Sequence, residues 1–238
     1  MKIEVDPTFN FLIPYSVPML RLGDVGDCGN AVPAQALDAN NLISMGLGTN
    51  WSFDRDWHTF NPHGTIHGYD GTIFPEDFSD DLKAAYKSFF QGNVIHFKEN
   101  VGVDNIDQIL GRVQGSTFLK IDIEGHEYSI IPAVGKAQHV MGMIIEFHAL
   151  DLDTDRSRFK SAIDALANYK IVHIHANNFG GISEDSLPHT LEISLLRNDL
   201  CTTEERRYDV YLKGLDTQNS FSKEDYMLVF AEDAQQYS

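Results

Sequence analysis

The 238-residue sequence predicts an α/β fold built on a mainly parallel sheet. Short apolar runs rich in β-branched residues recur along the chain and are bounded by Gly, Asp and Asn, as β-strands are. Several runs are apolar nearly throughout, which is typical of strands covered on both faces. Segments with helical spacing lie between them, and this alternation indicates βαβ units.

Seven runs have strand length. In chain order they cover residues 42–45, 65–69, 94–97, 117–121, 141–147, 169–174 and 191–196. Apolar residues at helical spacing predict helices over residues 78–90, 129–134 and 155–168. The connection between Asn177 and His189 is short, contains Gly and Pro, and has no amphipathic helix. We therefore expect the strand at Leu191 to run antiparallel beside the strand at Tyr169.

The chain reads as one domain, residues 1–238, because no repeat and no linker rich in Pro, Gly or Ser divides it. Residues 41–200 form the predicted core. Residues 1–40 are expected to be an irregular N-terminal cap, and residues 201–238 a polar C-terminal tail.

Composition excludes several classes of partner. The net charge of −17, without a Lys/Arg cluster, argues against nucleic acid and against an anionic membrane surface. No apolar run has the length of a signal peptide or a membrane span. Cys28 and Cys201 lie too far apart in sequence to suggest a disulfide framework, so we expect a cytoplasmic location.

Polar residues follow the predicted strands, at the edge where α/β sheets bind ligands. Two glycines, Gly46 and Gly48, follow the first strand and allow a tight turn. Asp70 follows the second strand, 22 residues beyond Gly48, where a carboxylate can accept hydrogen bonds from both ribose hydroxyls. Together they favour an adenosine-type cofactor. Trp51 stands where a nicotinamide dinucleotide site has its third glycine, which favours S-adenosylmethionine.

Four stretches resemble one family of enzymes. They are RLGDVGDCGN at residues 21–30, SMGLGTNWSFD at 44–54, FLKIDIEGHE at 118–127 and HIHANN at 173–178. Over roughly residues 20–200 the chain resembles the FkbM-type S-adenosylmethionine-dependent methyltransferases and the related Methyltransf_22 group. Cys28 stands in place of the family's usual glycine, and Asn30 in place of its tyrosine.

The resemblance implies a class I methyltransferase fold, which is a Rossmann-like, seven-stranded sheet with an antiparallel last strand and helices on both faces. It also implies the residues that hold the cofactor: Gly46, Gly48, Asn50, Asp70, Asn100, Val101 and Asp122. Gly46 and Gly48 would border its methionine part, and Asp70 its ribose. Asn100 and Val101 would flank the adenine, and Asp122 would lie near the sulfonium.

Methyl transfer to a hydroxyl requires a residue that takes the hydroxyl proton. The candidates are Asp122, Glu124, His126, His148 and His175. Glu124 and His148 are the first choices, because each lies just beyond a strand end. The predicted catalytic set is therefore Glu124, His148 and Asp122.

The same edge of the sheet also offers residues that could bind a divalent metal ion. His173 and His175 alternate on one strand and so share a face, and Glu146 and Asp122 from neighbouring strands could join them around a divalent ion. The chain has no HExxH motif and no Cys-rich spacing, so no metal ligand is predicted.

The sequence thus predicts an S-adenosylmethionine-dependent methyltransferase that acts on a hydroxyl of a small-molecule or glycan acceptor. Two alternatives stay open. One is a nicotinamide-dependent oxidoreductase on a similar sheet, and the other is a non-catalytic protein that binds S-adenosylmethionine.

Overall fold

The computed structural model describes residues 1–231. Its strands are β1 (Lys2–Glu4), β2 (Met19–Leu22), β3 (Asn30–Pro33), β4 (Asn41–Met45), β5 (Thr65–Tyr69), β6 (Val94–Phe97), β7 (Thr117–Ile121), β8 (Val140–Phe147), β9 (Tyr169–Ala176), β10 (Leu191–Arg197) and β11 (Met227–Val229). Its α-helices are α1 (Ser52–Phe60), α2 (Asp80–Phe89), α3 (Ile106–Gly111), α4 (Glu127–Val134) and α5 (Asp153–Ala165). Short 3-10 helices cover Pro7–Leu12, Ala34–Asp38 and Pro75–Asp77.

A seven-stranded sheet in the order β6-β5-β4-β7-β8-β10-β9 forms the centre of the molecule. The strands from β6 to β8 are parallel, and β10 lies antiparallel between β8 and β9. The predicted fold class and the antiparallel last strand are therefore confirmed. The short connection after β9 has no helix that could cross a sheet face, so the chain can only return beside the strand it leaves.

Both faces of the sheet are covered, as the continuous apolar runs predict. All five residues of β4 are buried, and neighbours along it belong to different clusters of the core. Ile43 lies in the larger cluster, whereas Leu42 lies in a second cluster with Phe53 and Trp57 of α1. The indole N–H of Trp57 donates to the carbonyl of Ala36 at 2.9 Å, which ties α1 to the N-terminal segment.

The predicted helices are present as α2, α4 and α5, with bounds shifted by a few residues. Helices α1 and α3 are additional. Helix α3 spans six residues, which is too short for a periodic pattern to be recognised in the sequence.

The expectation of an irregular N-terminal cap is wrong. Strands β2 and β3 form an antiparallel hairpin, and β1 pairs in parallel with β11 from the other end of the chain. The expectation of a polar C-terminal tail is also wrong, because Val210, Leu228 and Phe230 are buried in the main core cluster. Residues 232–238 of the predicted tail lie outside the described residues.

Two further findings concern the chain as a whole. Within residues 1–231, the helices are all too short or too polar to cross a membrane. Cys28 and Cys201 are both free thiols.

Candidate active site

A cavity of about 570 Å³ opens at the carboxyl edge of the parallel strands. This volume lies within the range of small-molecule sites, which is about 300–1,000 Å³. Every residue of the predicted site except His148 lines it, namely Gly46, Gly48, Asn50, Asp70, Asn100, Val101, Asp122 and Glu124. The residues predicted from the strand ends therefore lie around one cavity.

Different physical constraints require glycine at the two positions after β4. Both have positive φ, 82° at Gly46 and 54° at Gly48, where other residues are strained. A Cβ on Gly46 would lie 1.7 Å from the carbonyl oxygen of Asp122, so no side chain fits there. A Cβ on Gly48 would meet nothing within 4 Å, so at Gly48 only the backbone conformation favours glycine.

Asp70 organises the glycine loop. Its Oδ2 accepts the backbone N–H groups of Leu47 (3.1 Å) and Gly48 (3.0 Å), and its Oδ1 accepts the backbone N–H (2.8 Å) and hydroxyl (2.6 Å) of Thr72. Burial alone would raise the pKa of Asp70, but these hydrogen bonds outweigh it and hold the pKa below its usual value. Asp70 is therefore a carboxylate at neutral pH, with a structural role that the sequence did not reveal.

The predicted adenine end of the cavity is built from the loop after β6. Val101 is buried, whereas Asn100 is exposed and its carbonyl accepts the side-chain amide of Asn105 at 2.9 Å. A Cβ on Gly71 would lie 2.4 Å from Oδ1 of Asn100, so Gly71 allows the two loops to approach.

Asn50 lies at the rim of the cavity. Its Oδ1 accepts the backbone N–H of Ser52 at 2.9 Å, at the start of α1, and its amide donates to Asp24 at 3.3 Å. The side chain of Asn50 thus joins the glycine loop after β4 to the segment between β2 and β3.

At the other end of the cavity, four carboxylates surround the imidazole of His148. Nδ1 lies 2.7 Å from Oε1 of the fully buried Glu127. Nε2 lies 3.5 Å from Glu124 Oε2, 3.8 Å from Glu146 Oε1 and 3.9 Å from Asp122 Oδ1. The predicted catalytic residues Asp122, Glu124 and His148 therefore lie together, although His148 itself does not line the cavity.

These charges shift the acid–base equilibria of the cluster. Burial lowers the pKa of His148, but its hydrogen bond to Glu127 and the charge of Glu146 outweigh this and raise the pKa to about 9. Burial, and next the charge of Asp122, raises the pKa of Glu146 well above its usual value. Burial also lowers the pKa of Lys120, but the charges of Asp122 and Asp54 reverse the effect and raise it.

Glu124 has an unusual backbone. Its φ of 54° is rare for a residue other than Gly, Asn or Asp, and Gly125 follows with φ of 91°. Such conformations cost roughly 1–3 kcal/mol and cluster at functional sites. The turn lets the backbone N–H of Gly125 donate to Glu127 Oε1 at 3.1 Å, while the Glu124 carboxylate stays exposed at the cavity.

His173 and His175 do not join this cluster, so the metal arrangement weighed from the sequence is not assembled. His173 Nε2 lies 2.8 Å from Asp216. His175 lies 3.3 Å from both Glu192 and Asp225. Both histidines are buried and contact carboxylates of β10 or the C-terminal segment, and neither lines the cavity. His126 is an exposed turn residue whose ring faces the carbonyl of Ile123 at 3.2 Å.

Sequence reasoning did not assign Glu127, Thr72 or Lys120 to the site. Glu127 at the start of α4 pairs with a histidine 21 residues away, in the loop after β8, so no local spacing reveals it. Lys120 alternates with Asp122 at the end of β7, and its ammonium lies 3.6 Å from Oδ2 of that residue. This alternation was the one available signal.

The sheet order, the antiparallel β10 and the cavity at the carboxyl edge together define a class I methyltransferase fold. A family model described as the methyltransferase FkbM domain matches residues 27–171, which is more than half of the chain. The chain belongs to the FkbM methyltransferase family.

Solved structures with a related fold are distant. Fibrillarin, a pre-rRNA processing protein from Methanococcus jannaschii, has 10% identity and a TM-score of 0.41, with 66% of each chain covered. A putative rRNA methylase from Clostridium thermocellum has 10% identity and a TM-score of 0.42, covering 66% of this chain and 86% of its own. A putative methyltransferase from Thermobifida fusca YX has 10% identity and a TM-score of 0.40, covering 68% and 74%. No curated protein matches the chain.

Proposed function

We propose that this protein transfers a methyl group from S-adenosylmethionine to a hydroxyl oxygen of a small or carbohydrate-like acceptor. One observation carries the proposal: a single cavity joins the Asp70-bound glycine loop to the carboxylates around His148. The first feature suits an adenosyl group, and the second suits a cation and a hydroxyl that must lose its proton.

The residues present fit this cofactor. The ribose would hydrogen-bond to Asp70, where its hydroxyl would replace the Thr72 hydroxyl on Oδ1. Asn100 and Val101 would flank the adenine. The carboxylates of Asp122 and Glu124 offer the negative charge that a sulfonium and an ammonium require. When bound, the cofactor supplies an electrophilic methyl group.

The chain's own residues would align the acceptor and take its proton. Of the two predicted bases, we propose that Glu124 takes the proton, because it lines the cavity and lies 3.5 Å from His148 Nε2. His148, whose pKa is raised to about 9, already carries a proton at neutral pH and would position the carboxylate. Carboxylates accept hydrogen bonds without donating any, so the cluster can orient a hydroxyl-rich acceptor. A small-molecule or glycan acceptor also suits the net charge of −17, which disfavours nucleic acid and anionic membranes as partners.

The nicotinamide alternative is disfavoured by what replaces its third glycine. Trp51 is buried and packs against Phe78, Tyr86 and Phe90, with ring centroids 5.4–6.4 Å apart. This indole leaves no room for a pyrophosphate to approach the backbone. We further propose a reducing, cytoplasmic location, which the free thiols of Cys28 and Cys201 support.

Isothermal titration with S-adenosylmethionine and S-adenosylhomocysteine tests the cofactor. We expect Asp70→Ala to weaken binding by about 10–100-fold, because a hydrogen bond to a charged group contributes about 1.5–3 kcal/mol. Thr72→Ala is the matched control, since it removes a donor that the ribose would replace, and it should bind about as well as the native chain. Absence of binding at millimolar cofactor, or an unchanged affinity in Asp70→Ala, would contradict the proposal.

A further inference from the structure

We propose that Asp122, Glu146 and His148 bind a divalent metal ion at the edge of the cofactor cavity. The binding itself depends only on these three side chains. The part assigned below to the ion in holding the acceptor rests on the proposed methyl transfer.

The three side chains converge from neighbouring strands. Asp122 follows β7, while Glu146 and His148 stand at the end of β8, and one ligand atom from each lies within 4.8 Å of the others. The His148 Nε2 atom is 3.8 Å from Glu146 Oε1 and 3.9 Å from Asp122 Oδ1. Metal–ligand bonds of about 2.0–2.2 Å place ligand atoms about 3–4.3 Å apart around one ion. Small side-chain rotations therefore suffice to complete the site.

The imidazole is already oriented as a metal ligand would be. Glu127 holds Nδ1 at 2.7 Å, which leaves Nε2 facing the two carboxylates. Histidines that bind metals almost always donate their other ring N–H to a carboxylate or carbonyl in this way. Glu127 is not one of the three proposed ligands, so its contact orients the imidazole without occupying Nε2.

The burial of Glu127 is a second observation that favours a cation beside His148. The residue is fully buried, and its Oε2 has no hydrogen-bond partner among residues 1–231. Its other oxygen, Oε1, contacts Nδ1 of His148 at 2.7 Å and accepts the backbone N–H of Gly125 at 3.1 Å. A buried carboxylate with an unpaired oxygen is costly unless a positive charge lies nearby. An ion on Nε2 of His148 would replace the proton there and supply that charge through the imidazole.

The carboxylates keep free oxygen atoms for the ion. Oδ2 of Asp122 lies 3.6 Å from the ammonium of Lys120, so Oδ1 on the His148 side is available. Oε1 of Glu146 accepts the side-chain amide of Asn177 at 2.7 Å, which anchors the group and leaves a lone pair.

Two carboxylates and one imidazole suit a divalent ion of the Mn²⁺ type and leave positions open for water or hydroxyl oxygens. Asp122 and Glu124 both line the cavity, so an ion here would hold the acceptor hydroxyl where the methyl group arrives and lower its pKa. The methyl group would pass from the sulfur of the cofactor to this oxygen, the C–S electron pair would stay on sulfur, and Glu124 would take the proton. His148 becomes a ligand, which leaves Glu124 as the base.

Titration of the metal-stripped full chain with Mn²⁺, followed by the electron paramagnetic resonance of free Mn²⁺, tests the site. We expect one ion per chain, and at least a tenfold loss of affinity in Asp122→Asn and in Glu146→Gln. Glu127→Gln should weaken binding by about 10–100-fold, as outer-shell changes do at metal histidines. Glu99→Gln is the matched control, because Glu99 lines the same cavity but pairs with Arg112 at 3.0 Å.

No binding at millimolar Mn²⁺, or wild-type affinity in Asp122→Asn, would overturn the inference. Circular dichroism separates unfolding from loss of a ligand, and two single carboxylate variants keep the test valid if one fails to fold. The titration uses no cofactor. A chain that binds S-adenosylhomocysteine but no Mn²⁺ therefore refutes the metal site alone, and the converse result refutes the proposed function alone.

Discussion

Gly46→Ala is expected to lower the free energy of unfolding by about 2–5 kcal/mol. The left-handed backbone at φ of 82° costs an alanine roughly 1–2 kcal/mol. The new Cβ would also lie 1.7 Å from the carbonyl oxygen of Asp122, and relieving such overpacking typically costs about 1–3 kcal/mol more. Because β4 and β7 are paired neighbours, the chain can relieve this collision only by moving two buried strands apart.

Gly48→Ala is the matched control for this change. It has the same positive sign of φ, 54°, but its Cβ would meet nothing within 4 Å, so only about 1–2 kcal/mol is expected. Urea denaturation of both variants, followed by circular dichroism, gives the two values. If both variants lose the same free energy of unfolding, the close approach to the Asp122 carbonyl is not what excludes a side chain at residue 46.

The contrast between these glycines illustrates what the sequence can predict. Gly46 and Gly48 were both expected at a tight turn, and both have positive φ and line the cavity. That the two differ in available space depends on a carbonyl from β7, which no spacing within the loop encodes. The central strands were predictable because they are buried on both faces and therefore apolar along their whole length.

The ends of the chain were harder to predict for a physical reason. The parallel pairing of β1 with β11 joins Lys2 to Met227, and each strand has only three residues. Strands this short show no clear alternation, and their stability comes from partners remote in sequence. The site followed the same rule: strand ends were predictable, whereas the Glu127–His148 contact between α4 and the loop after β8 was not.

A second large loss of stability is expected when His175 is replaced, because its ring contacts both β10 and the C-terminal segment. Its ring lies 3.3 Å from Glu192 on β10 and 3.3 Å from Asp225 in the C-terminal segment. Glu192 also accepts the side-chain amides of Asn30 at 3.0 Å and Asn219 at 2.6 Å. His175→Gln would remove the imidazole from the buried Glu192 and the partly buried Asp225.

Removing one partner of a buried ion pair typically costs about 3–5 kcal/mol. We therefore expect His175→Gln to lower the free energy of unfolding by this amount at neutral pH. His63→Gln is the control, because His63 is exposed and the change there should stay within about 0.5 kcal/mol. Urea denaturation at neutral pH measures both.

The pH dependence separates the ion pair from simple packing. Burial lowers the pKa of His175, but its hydrogen bonds to Asp225 and Glu192 outweigh this and raise the pKa to about 10. A histidine whose pKa is raised on folding stabilises the fold fully below its unfolded pKa, which is about 6.5. This contribution is lost as the pH rises from about 6.5 to 10. Burial raises the pKa of Glu192, but its contacts with His175 lower it overall, so acid below the ordinary glutamate pKa also weakens the pair.

The native chain should thus lose stability from about pH 6.5 to 10 relative to His175→Gln, and the two curves should converge at the alkaline end. Comparing the two chains at each pH cancels the lysines and tyrosines that also titrate there. A constant difference across this range would mean that the substitution acts through packing alone and that His175 is neutral in the folded state. Convergence would establish that a buried imidazolium joins the C-terminal segment to the sheet, since only the charged form binds both carboxylates.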